Sequence, residues 1–346
     1  MTEGAARPVR LILVGVGNVG RRFLDLIVRK EPRLRVLGLQ PVLAGVADSG
    51  GIARNAGGLD IQRVLALKDA GESVGAYPEF GYLGLPPEAL LEEVPADLFV
   101  DASPANLTDG QPGLGCIEAA LSRGMHVVTA NKAPLVLAYP RLQALADAQG
   151  VGLRFDATVA GGLPAINLGR RDLAASHIGR IEGLLNLTAN YILARMAAGH
   201  SYDQALAEAQ QAGHAEADPT LDVDGWDAAS KLVILAHSVL HYPVTLDDVS
   251  VQGIRGVDRD ELCRAEQTGQ RVKLVATAEW DGESYRLEVG PRCLPATHPL
   301  ASLGAHGMGI IYDTDINGIV TAFIEEETPE PTAAAVLRDV VELFGS

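Results

Sequence analysis

Basic residues, cysteines and long apolar runs are all scarce in this chain of 346 residues. Lysine and arginine total 28 against 44 aspartates and glutamates, and the formal charge of −16 argues against nucleic acid or an anionic membrane as a partner. The three cysteines (Cys116, Cys263 and Cys293) are odd in number and far apart, which indicates a reducing compartment without a disulfide framework or metal-ligand spacing. The N-terminus has no apolar signal core, and no stretch approaches the ~20 apolar residues of a membrane helix. These absences predict a cytoplasmic protein.

A short apolar segment near the N-terminus leads directly into a glycine-rich turn. Residues 9–14 (V-R-L-I-L-V) are predicted to form a buried parallel strand, and a helical pattern follows over residues 21–28. Between them, Gly15, Gly17 and Gly20 have the G-x-G-x-x-G spacing. The first glycine allows the tight turn, the second lets the backbone approach a pyrophosphate, and the third allows close strand–helix packing. This context predicts a dinucleotide site, with the anion on the amides of the helix N-terminus.

The end of the second predicted strand bears on the choice of cofactor. Residues 42–47 form that strand, which ends at Asp48. An acid there accepts hydrogen bonds from the adenosine ribose and repels a 2′-phosphate, so the cofactor is expected to be NAD or NADP, with NAD favoured. Residues 31–41, predicted as an extended connection, make the spacing longer than usual, and Arg54 nearby would favour the opposite choice.

Strands and helices alternate through the rest of the first half. Strands are predicted at 97–101 and 126–129 with a helix at 116–122 between them, which indicates a doubly wound parallel sheet. Lys132 then lies just beyond the carboxyl end of a strand, where ligands bind in open α/β sheets, although a solvated surface lysine is the alternative. The second half is predicted to be α+β, with a strand at 178–188 and an antiparallel pair joined at Asp281-Gly282.

Residues 215–231 (A-E-A-D-P-T-L-D-V-D-G-W-D-A-A-S-K) combine five carboxylates with one lysine that begins an apolar helix. Asp227 and Lys231 are four residues apart and share a helix face, and Lys231 also shares its face with Ile234 and Leu235. A partly desolvated ammonium beside a carboxylate suits a reaction of a polar small molecule. The alternative is that Asp224 caps the helix and the pair is an ordinary exposed one.

Taken together, these residues resemble the homoserine dehydrogenase family over nearly the whole chain. The most specific elements are H-V-V-T-A-N-K-A-P-L at 126–135 and the segment 215–231. The resemblance implies an α/β fold, a Rossmann-type doubly wound parallel sheet plus an α+β catalytic and dimerisation domain, in a homodimer. The implied domains are 8–155 with 318–346, for the dinucleotide, and 156–317, for the substrate and oligomerisation. The regulatory ACT domain of many members is expected to be absent, and with it feedback inhibition through that domain.

The resemblance also implies a reaction and a set of residue roles. The reaction is reversible hydride transfer between the nicotinamide of NAD(P) and L-aspartate 4-semialdehyde, giving L-homoserine. Lys231, Lys132 and Asp227 would be catalytic, and which lysine transfers the proton stays open. The implied substrate residues are Glu216, Asp222, Thr188 and Gly161. The implied cofactor residues are Gly15, Gly17, Asn18, Val19, Gly20, Asp48, Ser103, Pro104 and Lys132. A monovalent cation such as Na⁺ would lie at Asp156, Val159 and Gly161.

The chain departs from the family pattern at several positions near the expected site. Leu187 replaces a glycine, Ala160 replaces a glycine, and Asp156 replaces the usual glutamate. The glycine-rich loop before P-T-A is replaced by F-I-E-E-E-T-P-E, which puts Glu325, Glu326 and Glu327 near the expected cofactor position. Two alternatives follow: a related amino-acid or semialdehyde dehydrogenase with an altered pocket, or an NAD-binding paralogue without turnover. The polar catalytic set is nevertheless intact.

Overall fold

The computed structural model describes residues 6–212, 215 and 217–345. The chain divides into two compact units, the first comprising Met1–Gly162 with Thr328–Ser346 and the second Leu163–Glu327. Residues 318–327, which the sequence grouped with the dinucleotide-binding domain, belong to the second unit, and Gly318–Glu325 pair as a strand within its sheet. Within the described residues, no helix has both the length and the hydropathy needed to cross a bilayer.

The strands, numbered along the chain, are β1 (Arg7–Val14), β2 (Leu39–Asp48), β3 (Gly51–Arg54), β4 (Gly81–Leu83), β5 (Leu98–Asp101), β6 (His126–Thr129), β7 (Leu153–Arg154), β8 (Ile178–Leu184), β9 (Val249–Val251), β10 (Gln270–Trp280), β11 (Tyr285–Pro295), β12 (Gly307–Thr314) and β13 (Gly318–Glu325).

The α-helices are α1 (Asn18–Arg29), α2 (Glu31–Val36), α3 (Ile61–Asp69), α4 (Glu88–Glu93), α5 (Gly113–Ser122), α6 (Ala133–Gln149), α7 (Ala165–Asn167), α8 (Leu187–Ala197), α9 (Tyr202–Gln211), α10 (Thr220–Val223), α11 (Trp226–Ser238), α12 (Arg259–Gln267) and α13 (Glu330–Phe344). Short 3₁₀ turns and one π-helical turn, Leu168–Asp172, complete the described helical structure.

The first unit is built around a seven-stranded sheet with the order β4-β3-β2-β1-β5-β6-β7. The strands from β2 to β7 in this order run parallel, whereas β3 and β4 are antiparallel additions at one edge. The register aligns the last residues of three neighbouring strands, because Val14 pairs with Asp101 and Asp101 pairs with Thr129. The predicted Rossmann-type parallel sheet is therefore confirmed, and the loops after β1, β5 and β6 leave the sheet at the same edge.

Burial explains why the apolar run at the N-terminus forms a central strand. Leu11, Ile12 and Leu13 are all fully buried, as expected for a parallel strand covered on both faces. On one side, Phe23 of α1 and Val336 of α13 belong to the same apolar core as this strand. The chain therefore returns at its C-terminal end to complete the core of the first unit.

The second unit contains a six-stranded sheet with the order β13-β12-β8-β10-β11-β9, antiparallel except for the pair β11–β9. The predicted hairpin is present: Trp280 pairs with Tyr285, and the Asp281 carboxylate accepts the Ser284 amide at 2.9 Å. Residues 232–236 of α11 are five consecutive apolar residues, which cover every side of the helix. All five are fully buried, as expected for a helical segment inside a core. The α+β character predicted for this half is confirmed.

Two local predictions were wrong. The connection at 31–41 is not extended, since Glu31–Val36 forms α2, with a proline in its first turn. The strand predicted to reach Thr188 ends at Leu184, and α8 begins at Leu187. The reason is Asn186, whose side-chain oxygen accepts the Ala189 amide at 2.7 Å and so caps the helix.

Candidate functional site

The glycine-rich turn of the first unit has the geometry that its spacing predicts. Gly15 has φ +93°, and a Cβ there would lie 2.3 Å from the Ala102 carbonyl oxygen. A Cβ on Gly20 would lie 2.0 Å from the Gly15 oxygen, so α1 packs too closely on the strand end for any side chain. A Cβ on Gly17 would meet nothing within 4 Å. Two glycines therefore serve packing, and Gly17 leaves open space before the amides of α1.

The first residues of α1 present their backbone at this open space. The helix begins at Asn18, directly after Gly17, and no described side chain caps its N-terminus. Asn18 is exposed, whereas Val19 is half-buried and packs against the apolar core. The backbone amides at the start of this twelve-residue helix therefore have no side-chain cap from the described residues, and the helix dipole makes this end electrostatically positive.

Asp48 lies at the end of β2 as predicted, but its carboxylate is already engaged. One oxygen accepts the Gly50 amide at 2.9 Å and the Ser73 hydroxyl at 2.7 Å. The other accepts the Lys68 ammonium at 2.5 Å and the Val74 amide at 3.0 Å. Burial raises the pKa of Asp48, but the hydrogen bonds outweigh it and lower the pKa overall. With about four acceptor positions per carboxylate, this network fills Asp48.

Arg54, the residue that would favour NADP, is also engaged. Its guanidinium pairs with Glu93, which raises its pKa, and lies 4.5 Å from the centroid of the Tyr82 ring. These contacts hold Arg54 against the antiparallel edge of the sheet, where β3 pairs with β4.

The loops after β5 and β6 are joined by a buried polar network. Asp101 is fully buried and accepts hydrogen bonds from the Ser103 hydroxyl at 2.6 Å and the Thr129 hydroxyl at 3.2 Å. The Asn131 amide donates to the Ser103 oxygen at 3.2 Å and to the Pro104 carbonyl at 3.4 Å. Burial raises the pKa of Asp101. Sequence reasoning identified Ser103 and Pro104 but missed Asp101 and Asn131, which hold them.

Lys132 follows this network immediately. It is half-buried and precedes the first residue of α6, and its neighbour Asn131 accepts the Ala133 amide at 3.0 Å. The backbone that carries Lys132 is therefore fixed beside the loop that contains Ser103.

The predicted cation loop packs against α13. Asp156 is 1% exposed and Val159 is fully buried, and Gly161 has φ +56°. The Arg338 guanidinium lies 2.6 Å from the Asp156 carboxylate and donates to the Gly162 carbonyl at 2.9 Å. Sequence reasoning did not find Arg338.

Asp339, the next residue of α13, contacts the same loop. Its carboxyl group accepts the Asp156 backbone amide at 2.9 Å. Burial, and then the charge of Asp156, raise the pKa of Asp339 to about 7. Two successive residues of α13 therefore contact Asp156, Arg338 at its carboxylate and Asp339 at its backbone amide.

In the second unit, the predicted pair of Asp227 and Lys231 forms within a larger network. The Lys231 Nζ lies 2.8 Å from the Asp227 carboxylate and donates to the Leu185 carbonyl at 2.5 Å. The side-chain amide of Asn186 donates to the Asp227 carboxylate at 2.7 Å and to the Asp222 carboxylate at 2.6 Å. The side chains of Lys231 and Asp227 are 16% and 8% exposed, so this is no ordinary surface pair.

The remaining acids of this segment have different surroundings. Asp224 pairs with Arg255 at 2.5 Å, and Gly225, with φ +88°, takes the N-cap position of α11 that the alternative had given to Asp224. Glu216 lies outside the described residues. Thr188 is 5% exposed and lies in the first turn of α8, directly beyond the Asn186 cap.

The backbone is not strained at the two positions where this chain has a side chain and the family pattern has glycine. Leu187 is the first residue of α8, Ala160 is fully buried, and neither is among the described non-glycine residues with positive φ. The backbone therefore accommodates a side chain at both positions.

The three glutamates of the acidic segment differ in burial. Glu326 is 5% exposed, and its backbone amide donates to the His306 carbonyl at 3.0 Å, whereas Glu325 and Glu327 are exposed.

Comparisons with known proteins agree with the resemblance. Residues 164–341 match the family model for homoserine dehydrogenase. The chain is 35% identical to an NAD(+)-dependent homoserine dehydrogenase from Pseudomonas canavaninivorans, over 97% of this chain and 96% of that protein. It is also 35% identical to a homoserine dehydrogenase from Methanocaldococcus jannaschii, over 97% of this chain and 98% of that protein.

Solved structures give the same result. The crystal structure of a homoserine dehydrogenase from Thermoplasma acidophilum is similar with a TM-score of 0.83 at 31% identity, covering 97% of this chain and 99% of that chain. A hyperthermophilic archaeal homoserine dehydrogenase in complex with NADPH has a TM-score of 0.85 at 28% identity, covering 97% of this chain and 98% of that one.

Proposed function

This chain belongs to the homoserine dehydrogenase family, and from that membership we propose how its residues divide the work of the reaction. It is an NAD(P)-dependent oxidoreductase acting on a CH–OH group, and it interconverts L-aspartate 4-semialdehyde and L-homoserine by hydride transfer. Its substrate is accordingly a small molecule. The observation that carries the residue assignment is the hydrogen-bonded network of Asn186, Asp222, Asp227 and Lys231, in which Asn186 and Asp227 are buried.

Lys231 is proposed as the acid–base group at the reacting oxygen. When hydride reaches the aldehyde carbon, the carbonyl oxygen becomes an alkoxide, which needs a proton or a cation beside it. The Lys231 ammonium has three N–H groups, of which Asp227 and the Leu185 carbonyl orient two. The third is the one proposed to meet the substrate oxygen. In the oxidation direction the amine takes the hydroxyl proton.

Asp222 is proposed to bind the substrate ammonium, together with Glu216. The support is electrostatic: Asp222 shares the Asn186 amide with Asp227, which holds two carboxylates in one cluster with a single ammonium from Lys231. Such a cluster has one negative charge more than it has positive, and it favours a cationic group of the substrate. Thr188 is proposed as a polar contact from the first turn of α8, and Gly161 as a backbone contact.

In the first unit, the dinucleotide is proposed to bind at the glycine-rich turn, contacting Gly15, Gly17, Asn18, Val19 and Gly20. The open space at Gly17 and the uncapped amides of α1 support a pyrophosphate there. Ser103 and Pro104 are proposed to line the nicotinamide side. Lys132 is proposed as the second lysine of the reaction, because it follows the network that positions Ser103.

Between the two cofactors, NAD is proposed as the preferred one. The Asp48–Lys68 pair is electrically neutral, and each oxygen of Asp48 already accepts two hydrogen bonds. A 2′-phosphate would have to draw Lys68 away from Asp48 to gain an ion pair there. The acid therefore acts mainly by retaining Lys68 rather than by direct contact with the ribose.

The division of labour between the units is also a proposal. Residues 1–162 with 328–346 would bind the dinucleotide, and residues 163–327 the substrate and a second copy of the chain in a homodimer. Exposed Ile319 and Phe323 on the edge strand β13 support self-association, since apolar edge strands pair readily. Sedimentation should give twice the chain mass, and Phe323→Glu should dissociate the dimer.

A cytoplasmic location is proposed from the free cysteines and the family's reaction, and cell fractionation checks it.

The assignment of the catalytic network is tested with Asp227→Asn, which keeps the shape of the side chain but removes the charge beside Lys231. We expect kcat to fall roughly 10²–10³-fold while the calorimetric affinity for NAD stays near that of the wild type. Asp224→Asn is the matched control, because Asp224 lies in the same segment but pairs with Arg255 instead. Equal losses in both variants would reject the assignment.

A further inference from the structure

The loop of residues 156–162 is the place where the family resemblance implies a monovalent cation. Such a cation would need oxygen ligands that are not already committed to another positive charge. Here the only side-chain acid predicted for the site, Asp156, is ion-paired with Arg338, and the Gly162 carbonyl accepts from the same guanidinium. The residues present therefore do not fit a resident Na⁺ or K⁺.

We propose that the Arg338 guanidinium takes the place of the monovalent cation, so that this enzyme holds its 156–162 loop without Na⁺ or K⁺. Two contacts carry the proposal. Arg338 reaches the carboxylate of Asp156, at one end of the loop, at 2.6 Å and the carbonyl of Gly162, at the other end, at 2.9 Å. A cation that gathers oxygens from both ends of a turn would do the same work.

The charge balance supports this substitution. Asp156 is 1% exposed, and a buried carboxylate without a partner is strongly unfavourable, so the loop requires one positive charge. Arg338 supplies it permanently, since a guanidinium is not deprotonated in proteins. The planar fork also fixes direction, which a spherical ion does not.

The helix that carries Arg338 is well anchored, which allows a side chain to replace a diffusible ion. In α13, Val336 and Val340 are each 1% exposed, and Asp339 accepts the Asp156 amide. Arg338 itself is 35% exposed at its side chain. Its Nε is buried without a hydrogen-bond partner among the described residues, so its contacts to the loop are made through its two terminal nitrogens.

The first arm of the test uses the unmodified enzyme. Its melting temperature (Tm) and kcat/KM are measured over a concentration series of NaCl, KCl and N-methylglucamine chloride at equal ionic strength. A bound ion raises Tm with its concentration by mass action. We expect the three series to coincide. A Tm or kcat/KM that rises with Na⁺ or K⁺ but not with the organic cation would overturn the proposal.

The second arm uses Arg338→Met, which keeps much of the side-chain length but removes the charge. We expect Tm to fall by roughly 4–10 °C in N-methylglucamine, because the buried Asp156 carboxylate loses its partner, and Na⁺ or K⁺ to restore part of it. An unchanged Tm, or a loss that neither ion restores, would contradict the substitution of a cation by Arg338.

Two further variants make the readout specific. Arg338→Lys keeps the charge without the fork, so an intermediate Tm without an ion response is expected, and it serves if Arg338→Met does not fold. Arg154→Met is the matched control, because it breaks another ion pair to the same helix, with Glu342 at 3.0 Å. It should show little change and no ion response. Since Tm requires no turnover, failure here leaves the catalytic proposal untouched.

Discussion

The side-chain amide of Asn186 lies 2.7 Å from the carboxylate of Asp227 and, with its second hydrogen, 2.6 Å from that of Asp222. The same side chain caps α8 through its oxygen, on the Ala189 amide. One residue thus begins a helix and orients the acid that pairs with Lys231. Asn186 does not need to touch the substrate for this, and it is best described as a positioning residue.

Asn186→Ser separates these two duties. Serine caps a helix about as well as asparagine, so Tm should change little, but one hydroxyl cannot donate to two carboxylates. We expect kcat/KM for L-homoserine to fall roughly 10–100-fold, with the loss mainly in kcat and a shifted pH profile. Steady-state kinetics with a parallel melting curve check this. A fall in Tm at unchanged kcat/KM would assign Asn186 to the helix cap alone.

The glycine-rich turn gives a matched pair of alanine variants. Gly17→Ala should leave Tm unchanged, because its Cβ would meet nothing within 4 Å, yet weaken NAD binding by about tenfold or more where the pyrophosphate approaches. Gly20→Ala should lower Tm, because its Cβ would lie 2.0 Å from the Gly15 oxygen. Calorimetry and thermal melting measure the two effects. Tight NAD binding by Gly17→Ala would place the cofactor elsewhere.

Cofactor preference should respond to the Asp48–Lys68 pair. Asp48→Asn releases the Lys68 ammonium from its carboxylate partner, and the NADP-to-NAD ratio of kcat/KM should rise by roughly tenfold. The control is Asp69→Asn, which removes an exposed carboxylate next to Lys68 at the end of α3. It should leave the ratio unchanged. An unaltered ratio in Asp48→Asn would show that this pair does not face the ribose.

Lys273 provides a prediction of pH dependence. This 5%-exposed lysine lies at a cavity of about 430 Å³ and donates to the Asn190 side-chain oxygen and the Leu303 carbonyl. Burial, and then Arg271, lower its pKa to about 8. Between pH 8 and 10.5 Lys273 therefore binds a proton in the unfolded chain but not in the folded chain. The contribution of Lys273 to the free energy of unfolding consequently rises as pH increases through that window.

The measurement compares the wild type with Lys273→Met, so that other groups cancel. The difference in the free energy of unfolding should move in favour of the wild type by roughly 2–3 kcal/mol from pH 7.5 to pH 10, at about 1.4 kcal/mol per pKa unit. Urea unfolding at both pH values provides it. A difference independent of pH would mean that Lys273 keeps its ordinary pKa in the folded enzyme.

Local pattern was enough to predict much of the fold. The strand at His126–Thr129 has the predicted bounds, and the antiparallel pair joined at Asp281-Gly282 is present. Both depend on neighbours in the sequence. The helix at Glu31–Val36 was missed although it carried a signal, since a proline in the first turn and a Glu31–Arg35 pair both favour a helix.

The site was predictable only where its partners are close in sequence. Asp227 and Lys231 are separated by one helical turn, so their pairing followed from spacing. Asn186 is 41 residues from Asp227, Lys68 is 20 from Asp48, and Arg338 is 182 from Asp156. No periodicity connects such pairs, because tertiary packing brings them together. For the same reason, the sequence could not predict that the Asp48 carboxylate already accepts four hydrogen bonds.

The most direct test of the account follows the reduced nicotinamide by absorbance, with purified protein and L-homoserine at alkaline pH, using NAD and NADP in parallel. Wild-type protein should reduce the cofactor, faster with NAD, and Lys231→Met should lose roughly 10²–10⁴-fold in kcat while still binding NAD by calorimetry. Turnover by Lys231→Met at the wild-type rate, or none by wild-type protein that binds NAD, would contradict it.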